Sequence, residues 1–118
     1  MTERPSGFRT RRPFEARPGR TAVVIGDLDE LHGPTAGIVE LSNRLFWQPD
    51  RHFDLDDPDA LAWMYETVLR EAATADELRT WLDQKTLVDL WSTLFVPRGV
   101  RTAWEMHHPQ LCRHAAAA

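Results

Sequence analysis

Four aspartates lie close together at Asp54, Asp56, Asp57 and Asp59, and magnesium or calcium prefers such oxygen ligands. An EF-hand loop also needs fixed acidic offsets, a central glycine and a closing glutamate, which this stretch lacks. Asp57, Pro58 and Asp59 in succession are instead typical of a helix start. The pattern therefore favours helix capping over a cation site.

A second group of metal-ligating types lies near the end of the sequence, at His107, His108, Cys112 and His114. A structural zinc site needs four ligands on a rigid frame, usually as separated pairs. Pro109 interrupts this run, and no second cluster precedes it. We therefore interpret it as a solvated helix end whose imidazoles suit the negative pole of the helix, and we predict neither a metal nor another cofactor.

His32 precedes Gly33 and Pro34 in a tight loop that could position a catalytic imidazole, with Glu40 or Asp29 to orient it. No serine or cysteine nucleophile has a recognisable setting beside it. The six glycines are scattered, and none opens a phosphate-binding loop. The sequence thus predicts a non-enzymatic protein with no catalytic residues.

Charge is unevenly distributed along the 118 residues. Residues 1–20 carry six arginines and two glutamates, a net charge of +4, whereas residues 21–118 carry eight basic and sixteen acidic groups, a net charge of −8. The first segment is also rich in proline and poor in large apolar groups, so we expect a disordered basic tail at 1–20. An acidic body repels phosphates, so nucleic-acid binding would have to come from this tail or from a local patch.

The length suits a single small domain, which we assign to 21–112, with a short disordered tail at 113–118. No apolar run approaches the roughly 20 residues of a membrane span. The single cysteine, Cys112, and the lack of a secretory signal favour the cytoplasm.

Two stretches predict a small antiparallel sheet. Residues 21–25 are β-branched and end at Gly26. Residues 38–47 alternate, with apolar groups at Val39, Leu41, Leu45 and Trp47. Asn43 breaks this face, so 38–47 is either one strand or a hairpin turning at Ser42–Asn43. In both cases we expect pairing with 21–25.

The rest of the sequence is helical in pattern, and the fold class predicted is α+β, mostly α, with three or four helices after the sheet. The first helix runs over 58–73, and Thr74 to Glu77 forms a capping box for the second. Either Asp83 or Thr86 caps the third, whose inward positions include Trp91, Leu94 and Phe95. The predicted ranges of the later helices are 75–83, 86–95 and 98–107.

Five tryptophans are many for a domain of this size, and tryptophan is enriched at protein interfaces. Trp81, Trp91 and Trp104 follow helical periodicity and are expected in the core. Trp47 ends the apolar strand face, and Trp63 lies beside the inward stripe of its helix. We therefore predict that Trp47 and Trp63, with Arg44, bind a protein partner, aided by strand addition at the 38–47 edge.

An alternative is a DNA-binding regulator, because the last three helices could form a helix-turn-helix arrangement behind an arginine-rich arm. The arm would contribute Arg9, Arg11 and Arg12. The last helix would contribute Arg98 and Arg101.

The sequence resembles a group of small uncharacterised actinobacterial proteins, often labelled possible transcriptional regulators. The similar stretches lie within residues 31–110 and include HGPTAGIVELSNRLFWQP (32–49), FDLDDP (53–58), WMYETVLREA (63–72), DELRTWLD (76–83) and PRGVRTAWE (97–105). Members of that group are sometimes found beside nucleotidyltransferase-type abortive-infection toxins. The resemblance implies an antitoxin-like or accessory role with a neighbouring toxin as partner. Self-association into a homo-oligomer is a further expectation.

Overall fold

A computed structural model describes residues 15–17 and 19–112. Its architecture is α+β and mostly α, as predicted: in the described residues, two small antiparallel sheets accompany four α-helices, and residues 109–112 form one further helical turn. Residues 1–14 and Pro18 of the predicted 1–20 tail, and the predicted tail at 113–118, lie outside the described residues. None of the described helices is long and apolar enough to cross a membrane.

The N-terminal strap, defined as the described residues 15–17 and 19–21, is the first packed element. Strand β1 (Glu15–Arg17) pairs antiparallel with β2 (Arg20–Thr21), and Gly19 takes the positive φ of 80° that the turn requires. Ala16 is buried, so the described part of the predicted 1–20 tail packs against the body.

The strap lies on a glycine of the last helix. A Cβ at Gly99 would fall well under 3.0 Å from the backbone of Glu15, closer than real Cβ atoms approach. Gly99 is buried and is the second residue of helix α4 (Arg98–His107). The absence of a side chain there lets two backbones touch, which is why the strap can seat against this helix.

The second sheet joins β3 (Ile38–Glu40) to β4 (His52–Asp54), with Val39 opposite Phe53. The predicted pairing of 38–47 with 21–25 is wrong. Only Thr21 of that stretch lies in a strand, because residues 22–25 have no strand beside them and pack their side chains on the core instead. Within the described residues, each strand of this sheet keeps one unpaired edge.

The 38–47 stretch is one short strand followed by a tight turn, rather than a ten-residue strand. The turn occupies residues 43–45, where Leu45 and Phe46 donate backbone hydrogen bonds to the carbonyl of Ser42. This turn ends the alternation, because the consecutive residues Leu45 and Phe46 both face the core. As a result Phe46 is buried, while Trp47 is 76% exposed.

The first two helices begin at the predicted caps, and the third is capped by Asp83, one of its two predicted caps, and starts at Gln84, two residues before the predicted start at 86. Helix α1 (Pro58–Glu71) has Asp57 as N-cap, α2 (Ala75–Trp81) has Thr74, and α3 (Gln84–Leu90) has Asp83. The predicted 86–95 helix ends early, since α3 gives way to a 3₁₀ turn at Trp91–Thr93. Phe95 therefore lies beyond the helix and is 88% exposed, so its predicted inward position is wrong.

The core lies between α1 and the later helices, and it holds Tyr65, Trp91 and Trp104, each fully buried. Trp81 is partly buried and packs against it. The Tyr65 hydroxyl accepts a hydrogen bond from the backbone N–H of Asp83 at 2.8 Å, which joins α1 to the start of α3. Burial raises the pKa of Tyr65 to about 12, so the phenol stays neutral there.

Candidate functional site

The predicted partner residues Arg44, Trp47 and Trp63 line one pocket, which we call the Trp–Arg pocket. Its volume is about 230 Å³, and its wall also includes Arg17, Leu45, Phe46, Gln48, Arg70 and Glu71. Arg44 lies in the turn at 43–45, and Trp47 follows that turn. Helix α1 supplies Trp63 and, near its C-terminal end, Arg70 and Glu71. Residues that are far apart in sequence therefore meet at one surface.

Trp63 is held in place by two phenylalanines. Its ring meets Phe46 and Phe53 edge-on, with centroid distances of 5.4 and 5.5 Å, and these two rings lie 5.2 Å apart. Edge-to-face contacts of this kind add stability beyond buried area. Trp63 nevertheless remains 49% exposed, so it presents a fixed indole to solvent.

Glu71 is the charged centre of the pocket wall and is only 7% exposed. Its carboxylate accepts hydrogen bonds from Arg17 and from Nε of Arg70 at 2.9 Å, and Nη1 of Arg20 lies 3.6 Å away. Burial alone would raise the pKa of Glu71, but the hydrogen bonds and charges of Arg70 and Arg17 outweigh it and lower that pKa below 4.5. The strap is thus tied to the end of α1 by a buried carboxylate.

Arg44 joins the pocket to helix α2. Its Nε and Nη2 each lie 2.6 Å from an oxygen of the Glu77 carboxylate, and Nη2 also donates to the backbone carbonyl of Glu71 at 2.7 Å. Glu77 accepts a further hydrogen bond from the backbone N–H of Ala73 at 2.7 Å. Although its burial opposes ionisation, these donors lower the pKa of Glu77. Arg44 is therefore oriented by both ends of the α1–α2 connection.

Neutralising Glu71 should weaken the fold as the pH falls. Because its native pKa is depressed, its contribution is complete above about pH 4.5 and is lost as the pH drops through the native pKa. We expect Glu71→Gln to be less stable at neutral pH and to lose stability less steeply in acid, as measured by urea denaturation at a series of pH values. The control is Glu40→Gln, at an exposed carboxylate 3.4 Å from Arg51. Parallel pH profiles for wild type and Glu71→Gln would contradict the assignment.

Of the residues weighed for DNA binding, Arg98 and Arg101 do not line this pocket. Arg101 donates to the backbone carbonyls of Trp91 and Leu94, and its guanidinium lies 4.9 Å from the centre of the Trp91 ring. These contacts favour a structural role for Arg101. Arg98 is exposed at the start of α4, whereas Arg9, Arg11 and Arg12 lie outside the described residues.

The residues weighed for metal or catalytic chemistry serve the backbone instead. Asp57 caps α1 by accepting a hydrogen bond from the backbone N–H of Asp59 at 3.0 Å. His32 is exposed, and its own backbone N–H bonds to the carbonyl of Arg79 at 3.3 Å. Across residues 15–17 and 19–112, no three acidic, histidine or cysteine side chains are grouped so as to hold a metal ion.

The interpretation of 107–114 as a solvated helix end is wrong for His108. This imidazole is 4% exposed and its Nε2 lies 2.7 Å from the carbonyl oxygen of Ile25. Its ring also packs 5.8 Å from that of Trp104. The four-residue spacing from Trp104 to His108 was the available signal, because it places both on the inward side of α4.

Sequence reasoning missed Arg17, Arg70 and Glu71 as members of the site. The signal for Glu71 was its position between Val68 and Ala72, which places it at the edge of the inward stripe of α1. A glutamate so placed needs cationic partners. No local sequence pattern indicates that Arg17 is a cationic partner of Glu71, because the two residues lie 54 positions apart.

No protein-family model, curated protein or solved structure matches the chain. The function is therefore argued from the pocket itself.

Proposed function

We propose that the chain is a non-enzymatic protein-interaction module, antitoxin-like or accessory, that binds its partner at the Trp–Arg pocket. The observation that carries the proposal is that Trp47 and Trp63, 76% and 49% exposed, flank one pocket. Exposed tryptophans with arginine beside them are the residue types that dominate the binding energy of protein interfaces. Such a pair in a small domain is poorly explained by folding alone.

Two further features support this proposal. Trp63 is fixed by Phe46 and Phe53, so little side-chain freedom is lost when a partner covers it. One of the two unpaired edges of the sheet is that of β3, where Ile38 is 71% exposed and could extend the contact by strand addition. In this proposal the module works in the reducing cytoplasm, in keeping with its single cysteine.

The resemblance noted above indicates which partner to test. A neighbouring gene product, of the nucleotidyltransferase toxin type, is the proposed ligand. The acidic body, with a net charge of −8 over residues 21–118, would suit a partner whose nucleic-acid-facing surface is basic.

Trp47→Ala is expected to weaken binding to that neighbouring protein by about thirtyfold, the loss typical of an interface hot spot. The change should leave stability unaltered, because the side chain is mostly in solvent. Isothermal titration calorimetry of the purified pair measures both affinity and stoichiometry.

The matched control is Phe95→Ala, which removes another exposed aromatic ring outside the pocket. Equal affinity for Trp47→Ala and wild type, or an equal loss in Phe95→Ala, would remove the pocket from the interface. Binding of promoter DNA at low salt, with no binding of the neighbouring protein, would replace the proposal by the DNA-binding alternative.

A further inference from the structure

The Trp–Arg pocket is a basic surface on an acidic molecule. Three arginines, Arg17, Arg44 and Arg70, line it, whereas two carboxylates pair with them: Glu71 in the wall and Glu77 beside Arg44. The body over residues 21–118 has a net charge of −8. A local excess of guanidinium groups on an acidic molecule attracts an anion to this point of the surface.

The arginines have donors to spare. A guanidinium carries five N–H groups, and the described contacts of Arg70 use only Nε, which donates to Glu71. Those of Arg44 use Nε and Nη2. Within the described residues, Nη1 of Arg44 and both terminal nitrogens of Arg70 have no acceptor. The carboxylates of Glu71 and Glu77 orient these side chains and leave the other N–H groups of each guanidinium available to a ligand.

The smaller, apolar part of the pocket wall is mainly aromatic. Trp63 stands fixed against Phe46, and Trp47 extends into solvent beside it. A ligand that fills the pocket must therefore carry a negative group and an apolar group next to each other. A purely ionic ligand would leave both indoles uncovered.

Size and charge favour a protein ligand over a nucleic acid. A pocket of about 230 Å³ holds one or two side chains, whereas a single strand of nucleic acid needs a groove that follows several nucleotides. The acidic body would also repel the phosphates on either side of a stacked base. A carboxylate, in contrast, matches the planar fork of an arginine.

We infer that the Trp–Arg pocket binds an acidic segment of a partner protein, in which a glutamate or aspartate lies beside an apolar side chain. The carboxylate meets the terminal nitrogens of Arg70 and Arg44, and the apolar side chain lies between Trp47 and Trp63. This inference rests on the proposed function, since it specifies the chemistry that the interaction module recognises.

The experiment uses a blocked peptide of alternating glutamate and leucine, beside the same peptide with glutamine in place of glutamate. Binding to the full chain is followed by NMR, through the indole N–H signals of Trp47 and Trp63 and the Nε–H signals of Arg44 and Arg70. We expect the acidic peptide to shift these signals and to bind about tenfold more tightly than the glutamine peptide. The difference should shrink as salt is added.

Arg70→Gln tests the arginine directly and should reduce the affinity for the acidic peptide to that for the glutamine peptide. Its control is Arg79→Gln, at an exposed arginine on α2 that pairs with Glu30 at 2.8 Å and does not line the pocket. Arg44→Lys is the second variant, which keeps the charge but loses the fork.

Equal binding of the two peptides, or no shift with either at millimolar concentration, would overturn the inference. Tighter binding of a single-stranded oligothymidylate than of the acidic peptide would also overturn it, in favour of nucleic acid. These failures are separate from that of the proposed function, which depends on whether Trp47→Ala weakens binding of the neighbouring protein.

Discussion

Replacing Trp91 by alanine is expected to remove about 3–5 kcal/mol of stability, a large fraction of what a domain of this size possesses. Trp91 is fully buried at the end of α3, and its ring centroid lies 6.2 Å from that of Trp104. Its indole N–H also donates to the Glu105 carboxylate at 2.8 Å. The substitution thus leaves a cavity, removes the ring beneath Arg101 and deprives Glu105 of a donor.

Urea denaturation followed by circular dichroism measures this effect. The control is Phe95→Ala, four residues along the chain, which should change the free energy of unfolding by less than about 0.5 kcal/mol because Phe95 is 88% exposed. The two aromatic residues are both inward in the helical pattern of the sequence. Similar losses in the two variants would mean that α3 continues through Phe95.

Gly99→Ala is expected to detach the N-terminal strap and to cost about 1–3 kcal/mol, as overpacking does in other cores. A methyl group at this position meets the backbone of Glu15, which has no flexible end to swing aside. Either β1 moves or α4 moves. Since the strap is the smaller element, β1 should lift away and take Arg17 from Glu71.

Hydrogen exchange of the β1 amides, together with thermal unfolding, checks this outcome. Gly26→Ala is the matched control, because its Cβ would meet nothing nearer than an oxygen of Glu30 at 3.8 Å. Fast exchange confined to the strap in Gly99→Ala supports the expected detachment. Unchanged exchange there, with a melting temperature equal to that of Gly26→Ala, would show that the contact is relieved elsewhere.

The helices were predictable because their signals are local. Asp57, Thr74 and Asp83 each cap the helix that the pattern assigns to them. Caps and a 3.6-residue period lie within a few residues of the element they define, so no knowledge of the rest of the fold is required. The end of α3 was less visible, since a 3₁₀ turn continues the same apolar pattern for another turn.

The sheets were less predictable because pairing is decided by distant residues. The partner of β3 is the three-residue strand His52–Asp54, which is too short to show a period of its own. The turn at 43–45 then reversed the positions of Phe46 and Trp47. Alternation shows which residues share a face only as long as the strand continues.

The two tryptophans of the candidate site could be predicted from the sequence, but the cluster around Glu71 could not. Trp47 and Trp63 stand out in the sequence because tryptophan is costly to leave exposed, and the structure places both at one pocket. The cluster around Glu71 depends on tertiary packing. Arg17, Arg44 and Arg70 are separated by more than twenty positions each and meet only because the strap and the 43–45 turn reach the end of α1.

Arg17 belongs at once to the strap and to the wall of the pocket, so the two are thermodynamically linked. Any occupant that favours the seated position of Arg17 must stabilise the docking of β1 by the same free energy, since linkage is reciprocal. Conversely, a ligand that loosens the strap acts on the pocket through Arg17, and through Arg20, whose Nη1 lies 3.6 Å from the Glu71 carboxylate.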